Sequence, residues 1–349
     1  MAVSPTSVPV NFSSVAEAKN NTNNNACIME TWTYTVIPVY ILFIAVMGII
    51  LNVFVLMVFI LHKKPCTVAE IYLSNLAAAD LLLVSCLPFW AVNISNKFNW
   101  PFGEFMCKAV NVGILMNFYC SIYFLVLVSI DRYLALVYPL SQERMRRPRY
   151  AKVACFLVWV FNFLLTTPAL IFRKVKYFPA FNSTFCYLDF PDSNINLLFE
   201  LMIFIFGFVI PVSIISFCTI KIIKALGNRL IEGVNVENTD NKATTLVLAV
   251  LLAFLICWVP FQMTKIPDLL KQAKILTECH SLKILEGCKQ IFKYLGFLNS
   301  VLNPILYVIV GKNFQKKAHE VFKQCKQKPT HTLTSTRTYL SKSIKAQDA

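Results

Sequence analysis

Long apolar stretches alternate with shorter polar segments along the chain. Seven stretches reach the roughly 20 predominantly apolar residues that a helix needs to cross a bilayer, and they cover 35–61, 70–93, 105–138, 151–172, 195–223, 243–270 and 287–310. Because lipid offers the backbone no hydrogen-bond partners, each stretch is expected to be a helix. The pattern therefore predicts an all-α membrane protein, a bundle of seven transmembrane helices.

Three sequons for N-linked glycosylation indicate which ends of the helices face outward. Asn11 and Asn20 lie in the Asn-, Ser- and Thr-rich N-terminal segment, and Asn182 lies between the fourth and fifth stretches. Modified sequons belong to extracellular surfaces. The N-terminus and the 4–5 loop are therefore predicted to be extracellular.

The regions outside the bundle differ in composition. The residues after 311 first mix Phe with cations, which predicts a short amphipathic helix on the inner membrane face, and then become polar and disordered in character. The chain is thus predicted to contain a glycosylated extracellular segment (1–34), the bundle (35–311), the amphipathic helix (312–325) and a disordered cytoplasmic tail (326–349).

Composition and charge support the membrane interpretation. Apolar residues make up 57% of the chain and charged residues 15%, well below the roughly 25% charged residues of soluble domains. A net charge of +15 would fit nucleic-acid binding, but the basic residues lie between apolar stretches and in the tail. This distribution predicts cytoplasmic loops of a plasma-membrane protein without a nucleic-acid partner. No metal site is expected from the Cys and His spacing.

One carboxylate, Asp80, lies deep in the second apolar stretch. Ionisable groups in a bilayer are costly and are by default functional hypotheses. Polar residues of other stretches are candidates to converge on it: Asn52, Asn117, Ser121, Asn299 and Asn303. We predict a cation or proton site there, with a sodium ion as the candidate ligand; the alternative is a carboxylate satisfied by neighbouring amides.

Three short motifs occupy defined depths in the other stretches. Asp131-Arg132-Tyr133 ends the third stretch, Trp258 and Pro260 lie in the sixth, and the seventh contains Asn303-Pro304-Ile305-Leu306-Tyr307. Each motif alone fits core packing around a kink. Their order and depth together indicate a functional bundle.

With Asn52, Asp80, Trp159 and Pro211, these motifs resemble the rhodopsin-like G-protein-coupled receptors over nearly the whole chain. That resemblance implies a disulfide between Cys107 and Cys186. It also implies a second bridge from Cys27 to Cys279, for which Cys288 is a competing partner.

A finer resemblance is to the kinin (bradykinin) receptors. It rests on residues 66–73 (CTVAEIYL), 87–90 (LPFW), 98–103 (FNWPFG) and 307–312 (YVIVGK). Residues 129–137 (SIDRYLALV) look closest to the type that answers intact bradykinin, and Leu115 replaces the lysine of the trimmed-peptide type. A receptor for another peptide, angiotensin-like or chemokine-like, and a seven-helix transporter are the alternatives. An enzyme is not expected.

The resemblance implies an acidic outer pocket for a peptide with arginine at both ends. Asp268 and Glu286 match acidic positions of the family, and carboxylates form strong charge-assisted bonds with guanidinium groups. Deeper pocket candidates, equally compatible with ordinary packing, are Trp90, Ile114, Trp258, Phe261, Gln262 and Gln290. Lys265 and Lys293 depart from the expected pattern and are candidates to pair with a peptide carboxylate.

The predicted mechanism is a two-state bundle. Arg132 is expected to be held by Asp131 and Asp240. Peptide binding is expected to favour an outward position of helix six, with Pro260 as the pivot and Trp258 beside it. Tyr133, Asn303, Pro304 and Tyr307 complete the predicted activation switch. The partner is expected to be a Gq-class G protein that triggers calcium signalling.

Further partners follow from the cytoplasmic end of the chain. Cys325 is a candidate for palmitoylation. The Ser- and Thr-rich tail is a candidate for receptor kinases and, once phosphorylated, for arrestin.

Overall fold

A computed structural model describes residues 33–138, 147–231, 238–264, 266 and 281–324 of the 349. Six of its helices are long and apolar enough to cross a membrane, and the sixth helix in chain order contributes a shorter apolar run, Val247–Met263. This arrangement confirms the predicted seven-helix bundle. The helices are α1 Thr33–Leu61, α2 Val68–Ser95, α3 Gly103–Val137, α4 Pro148–Phe172, α5 (Ser193–Phe204 and Ile210–Ile231), α6 Asn238–Met263 and α7 Ser281–Ile309.

The position of α3 explains how the bundle is organised. Its side chains are buried along nearly the whole helix, whereas α1 and α4 expose large apolar side chains such as Phe43, Phe156 and Leu164. Exposed apolar surface on this scale needs an apolar solvent. The bundle therefore surrounds α3, and the outer faces of α1 and α4 are suited to lipid.

A π-helical turn, Ile205–Val209, interrupts α5. Pro211 follows it and lacks the N–H that would bond the carbonyl four residues earlier, so the helix widens. The Tyr123 hydroxyl of α3 donates to the Phe206 carbonyl in this turn at 3.0 Å. The turn thus joins α5 to α3, an arrangement that the sequence analysis did not predict.

The segment between α4 and α5 forms a β-hairpin rather than an irregular loop. Strands β1 (Arg173–Phe178) and β2 (Ser183–Leu188) pair antiparallel, with Val175 opposite Cys186. Asn182 takes a left-handed conformation at the turn, which asparagine tolerates better than most residues. We call the end of the bundle that carries this hairpin the hairpin end.

A short helix, α8 (residues 312–324), follows α7 at the opposite end of the bundle. We call this end the α8 end. The Phe314 ring of α8 packs edge-on against Phe54 and Phe59 of α1. This confirms the predicted amphipathic helix, with its apolar face on the bundle.

Two side-chain contacts fix α8 to the α1–α2 region of the bundle, and we call them the α8 clasp. Lys317 Nζ lies 2.7 Å from Glu70 of α2, and His62 Nε2 lies 2.9 Å from Glu320. The His62 contact lowers the pKa of Glu320. Glu70 also accepts the Thr67 backbone N–H at 2.8 Å, completing a capping box at the start of α2.

A glycine permits the close packing of α3 against α2. A methyl group added at Gly113 would lie 2.6 Å from the Cys86 sulfur. Gly113→Ala should therefore lower the free energy of unfolding by about 1–3 kcal/mol. In a Cys86→Ala background the nearest remaining atom, Leu82 Cδ1, lies at 3.7 Å, so most of the penalty should disappear. Thermal unfolding of detergent-purified protein measures both effects.

Gly227 of α5 is the matched control, because no atom of the described residues lies within 4 Å of an added methyl group there. Gly227→Ala should leave stability unchanged or raise it slightly, since alanine favours helix. An equal Gly113→Ala penalty in both Cys86 backgrounds would refute the packing explanation.

Candidate functional site

Asp80 is the centre of a buried polar cluster between α2, α3 and α7. Its two carboxylate oxygens accept the side-chain amides of Asn117 and Asn303, each at 3.0 Å. Asn117 also lies 3.1 Å from the Ser121 hydroxyl. Asp80 is 1% exposed, so these donors provide much of the stabilisation that a carboxylate needs in this environment. The predicted convergence of Asn117, Ser121 and Asn303 is thus visible in the geometry.

Two other predicted members of the cluster lie differently. The Asn52 amide donates to the carbonyls of Gly48 and Ser300, each at 2.9 Å, and so joins α1 to α7. Asn299 is buried, and among the described residues its side-chain oxygen has no hydrogen-bond partner. Asn52 therefore ties helices together instead of bonding to Asp80.

An aromatic group separates this cluster from the hairpin end. The Trp258 ring of α6 lies 4.9 Å from Phe118 of α3 and 6.1 Å from Phe261. A methyl group added at Gly296 of α7 would lie 3.2 Å from the Trp258 ring, so α7 approaches the indole closely. Trp258, two residues before Pro260, thus lies against both α3 and α7.

The Asp-Arg-Tyr motif lies at the α8 end of α3. Arg132 Nε donates to the Asp131 carboxylate at 2.9 Å, and both side chains are buried. Tyr133 is half-buried, and its ring contacts Tyr138 and Phe217. The first half of the predicted Arg132 lock is therefore formed. Asp240 lies in α6, but its side chain lies outside the described residues.

The α7 motif connects the two regions. Asn303 belongs to the Asp80 cluster, Pro304 lies within the helix, and the buried Tyr307 ring lies 6.2 Å from Phe314 of α8. Among the described residues the Tyr307 hydroxyl has no hydrogen-bond partner. One turn of α7 thus links the Asp80 cluster to the α8 end.

A disulfide holds the β-hairpin over the hairpin end. Cys107, near the start of α3, is bonded to Cys186 of β2, which confirms the bridge implied by the resemblance. Asn111 of α3 donates to the Cys107 carbonyl at 2.7 Å and to the Cys186 sulfur at 3.3 Å. The bridge is therefore buried and supported by a side chain one helical turn further along.

The hairpin has further attachments. The backbone N–H of Trp100 donates to the Thr184 carbonyl at 2.7 Å, and the backbone N–H of Thr184 donates to the side-chain oxygen of Asn99 at 2.8 Å. At the base, Lys174 donates to Asp189 at 2.9 Å, and this hydrogen bond and charge raise the pKa of Lys174. The hairpin is thereby fixed to α3 and to the segment between α2 and α3.

Besides Trp258, four of the predicted pocket residues belong to the described part of the chain. Trp90, Ile114, Phe261 and Gln262 are buried on three different helices, and the Gln262 amide has no hydrogen-bond partner among the described residues. A buried amide in an apolar wall is suited to orient a ligand.

Several predicted site residues lie outside the described part of the chain. Glu286 and Gln290 are in α7 without described side chains, and neither described strand nor helix includes Asn11, Asn20, Cys27, Asp268, Cys279 or Cys325. Asn182 is described: it is exposed at the hairpin turn, and its side-chain oxygen accepts the Tyr177 hydroxyl at 2.8 Å.

Comparisons with known proteins agree with this architecture. The family model described as "7 transmembrane receptor (rhodopsin family)" matches residues 51–307. The chain is 46% identical to the human B2 bradykinin receptor over 299 residues, which is 85% of this chain and 76% of that protein. It is 45% identical to the rabbit B2 bradykinin receptor over 84% of this chain and 80% of that one.

A related group is more distant. The human B1 bradykinin receptor is 38% identical over 322 residues, covering 90% of this chain and 91% of that protein. The family match and these relatives identify the chain as a receptor of the plasma membrane rather than an enzyme. The chain therefore belongs to the rhodopsin family of seven-transmembrane receptors and, within it, to the bradykinin receptors.

Proposed function

We propose that this receptor binds a kinin peptide at its hairpin end and activates a Gq-class G protein at its α8 end. The observation that carries the proposal is the 45–46% identity to two B2 bradykinin receptors across more than four-fifths of this chain. In this proposal the N-terminus and hairpin are extracellular, and α8 lies on the cytoplasmic face.

The ligand side of the proposal rests on charge and on the aromatic pocket. Asp268 and Glu286 would bind the arginine ends of the peptide through charge-assisted hydrogen bonds. Apolar peptide side chains would enter the region formed by Trp90, Ile114 and Phe261, with the amides of Gln262 and Gln290 orienting the backbone.

Transmission would use the buried groups between the two ends. Peptide contacts near Trp258 would favour an outward position of α6 about Pro260, and this would release Arg132 from Asp131 and Asp240. A ligand can shift such an equilibrium only by binding the two states with different affinity. The contacts of Trp258 with α3 and α7 support a role for this residue in giving the two states different affinities for the peptide.

A sodium ion near Asp80 is a further part of the proposal. The carboxylate of Asp80, the Ser121 hydroxyl and the side-chain oxygens of Asn299 and Asn303 would form an all-oxygen donor set, which suits a hard cation. The two asparagine oxygens have no hydrogen-bond partner among the described residues, which supports the fit. A bound cation would supply positive charge that favours one bundle state.

Modifications and other partners complete the proposal. Asn11, Asn20 and Asn182 would carry glycans, Cys27 and Cys279 would form a second disulfide, and Cys325 would be palmitoylated. Receptor kinases would phosphorylate the tail, and arrestin would bind it.

Calcium release in cells that express the full chain tests the main proposal. Bradykinin should raise cytosolic calcium, whereas angiotensin and a chemokine should not, and a selective Gq inhibitor should abolish the signal. A response to angiotensin or a chemokine without one to kinins would contradict the kinin ligand, and calcium release that survives Gq inhibition would contradict the Gq coupling.

Asp240→Ala should raise nucleotide exchange by the G protein in the absence of peptide if the substitution frees Arg132.

A further inference from the structure

The hairpin turn combines a glycosylation sequon with an exposed aromatic ring. The sequon is Asn182-Ser183-Thr184, and Asn182 is the last residue of the turn before β2 begins. Tyr177, near the end of β1, is 52% exposed. Its hydroxyl donates to the Asn182 side-chain oxygen at 2.8 Å. The aromatic ring and the residue that would carry a sugar therefore meet at the exposed tip of the hairpin.

The backbone fixes both side chains in these positions. Asn182 has a φ of 49°, which asparagine tolerates better than most residues, and its N–H donates to the Pro179 carbonyl at 3.2 Å. Tyr177 and Thr184 lie opposite each other in the strand register, and the Thr184 backbone is bonded to the segment between α2 and α3. The position of the ring relative to the sequon is therefore set by the strand pairing.

A glycan on Asn182 is compatible with the Tyr177 hydrogen bond. Glycosylation replaces one hydrogen of Nδ2, which donates to no described residue, and the side-chain oxygen keeps its lone pairs. The linkage is a secondary amide, which is almost always trans, so the first sugar ring lies on the same side of the amide as Oδ1. That is the side at which the Tyr177 hydroxyl binds, and the sugar would project toward the phenol.

An aromatic ring is suited to contact a sugar. The C–H groups of a pyranose form an apolar face, and the π-system gives an aromatic ring a negative face. The two faces attract each other, and both lose contact with water when they meet. A single exposed aromatic side chain needs no explanation by itself, but the Tyr177 hydroxyl is bonded to the sequon asparagine.

We propose that the Tyr177 ring is the docking surface for the first N-acetylglucosamine of a glycan on Asn182. This inference rests on the glycosylation of Asn182 in the proposed function. Tyr177 would hold the linkage amide through its hydroxyl and the sugar through its ring. The tip of the hairpin would thereby gain a link between β1 and Asn182, in addition to the Cys107–Cys186 bridge that holds β2 to α3.

The direct test is NMR of the purified full chain with ¹³C-labelled N-acetylglucosamine in its glycans. Protons of the first sugar on Asn182 should lie upfield in the wild type, because they are close to the face of an aromatic ring. Tyr177→Phe keeps the ring and should retain the upfield shift, whereas Tyr177→Leu should lose it. Thr184→Ala destroys the sequon and so identifies the signals, and Thr184→Ser, which keeps the sequon, is its matched control.

Hydrogen exchange of the hairpin amides measures the consequence for the fold. In a Tyr177→Phe background, loss of the sugar through Thr184→Ala should speed exchange at the tip by about two- to tenfold, the range for one contact of an aromatic ring. In a Tyr177→Leu background the same loss should have little effect, because the contact is already absent. Tyr150 of α4 is also exposed, and Tyr150→Ala should leave exchange at the tip unchanged.

Mass spectrometry of the peptide that contains Asn182 separates the two proposals. If Asn182 carries no glycan, its glycosylation and the docking surface are both wrong. If Asn182 carries a glycan whose signals are the same in the wild type and in Tyr177→Leu, only the docking surface is wrong. The same conclusion follows if loss of the sugar speeds exchange equally in the Tyr177→Phe and Tyr177→Leu backgrounds.

Discussion

Replacing both Cys107 and Cys186 with serine should reduce affinity for kinin peptide by at least about tenfold, or about 1.4 kcal/mol. The bridge spans 79 residues of sequence, and closing a loop of that size is worth about 4 kcal/mol in soluble chains. Here α3 and α4 stay in the membrane when the bridge is removed. The main effect should therefore be that the hairpin is held less firmly beside the pocket. Radioligand binding and cell-surface labelling together measure the effect.

Changing both cysteines avoids leaving a reactive thiol, and Cys66→Ser is the control. Cys66 is unbridged and half-buried in the α1–α2 loop, so its replacement should change neither affinity nor surface delivery. Normal affinity in the double serine variant would show that the Trp100 and Asn99 contacts hold the hairpin without the bridge.

Asp80→Asn should remove the response of peptide affinity to sodium. In the wild type, replacing potassium with sodium at constant ionic strength should lower agonist affinity several-fold, because the ion would favour the inactive state. The asparagine variant keeps the size of the side chain but loses the charge that would hold the ion. It also turns an amide N–H toward Asn117 or Asn303, and a buried unsatisfied group costs about 1–3 kcal/mol.

Thermal unfolding separates the two contributions in the same variant. Asp80→Ala deprives both the Asn117 and the Asn303 amides of their acceptor, so it should be less stable than Asp80→Asn. Sodium dependence that persists in both variants would exclude Asp80 as the ion-binding residue.

The helices could be predicted from the sequence because an apolar stretch in lipid can satisfy its backbone hydrogen bonds only by forming a helix. The sequence also predicted the meeting of Asp80, Asn117 and Asn303, since a buried carboxylate needs donors and few polar residues are available at that depth. Asn52 was a further candidate for this cluster, but its amide donates to the carbonyls of Gly48 and Ser300, because depth along a helix does not reveal the direction a side chain takes.

The hairpin and the π-helical turn were harder to predict. The 4–5 loop has no long alternating pattern, and its strands depend on the remote anchors Asn99, Trp100 and Cys107. For the turn, Pro211 was the available signal, but a proline predicts an interruption and not its type. Both features arise from contacts between segments that are distant in the chain.

The α8 clasp limits how the end of α7 can move. Val310 and Gly311 alone separate α7 from α8, and the clasp attaches α8 to His62 and to Glu70 on two different segments. If Tyr307 shifts during signalling, α8 cannot follow as a rigid extension of α7 without breaking one of these contacts. Any rotation between the two helices would therefore occur at those two residues. The α1–α2 loop and α8 would then stay together as one fixed unit while the neighbouring helices rearrange.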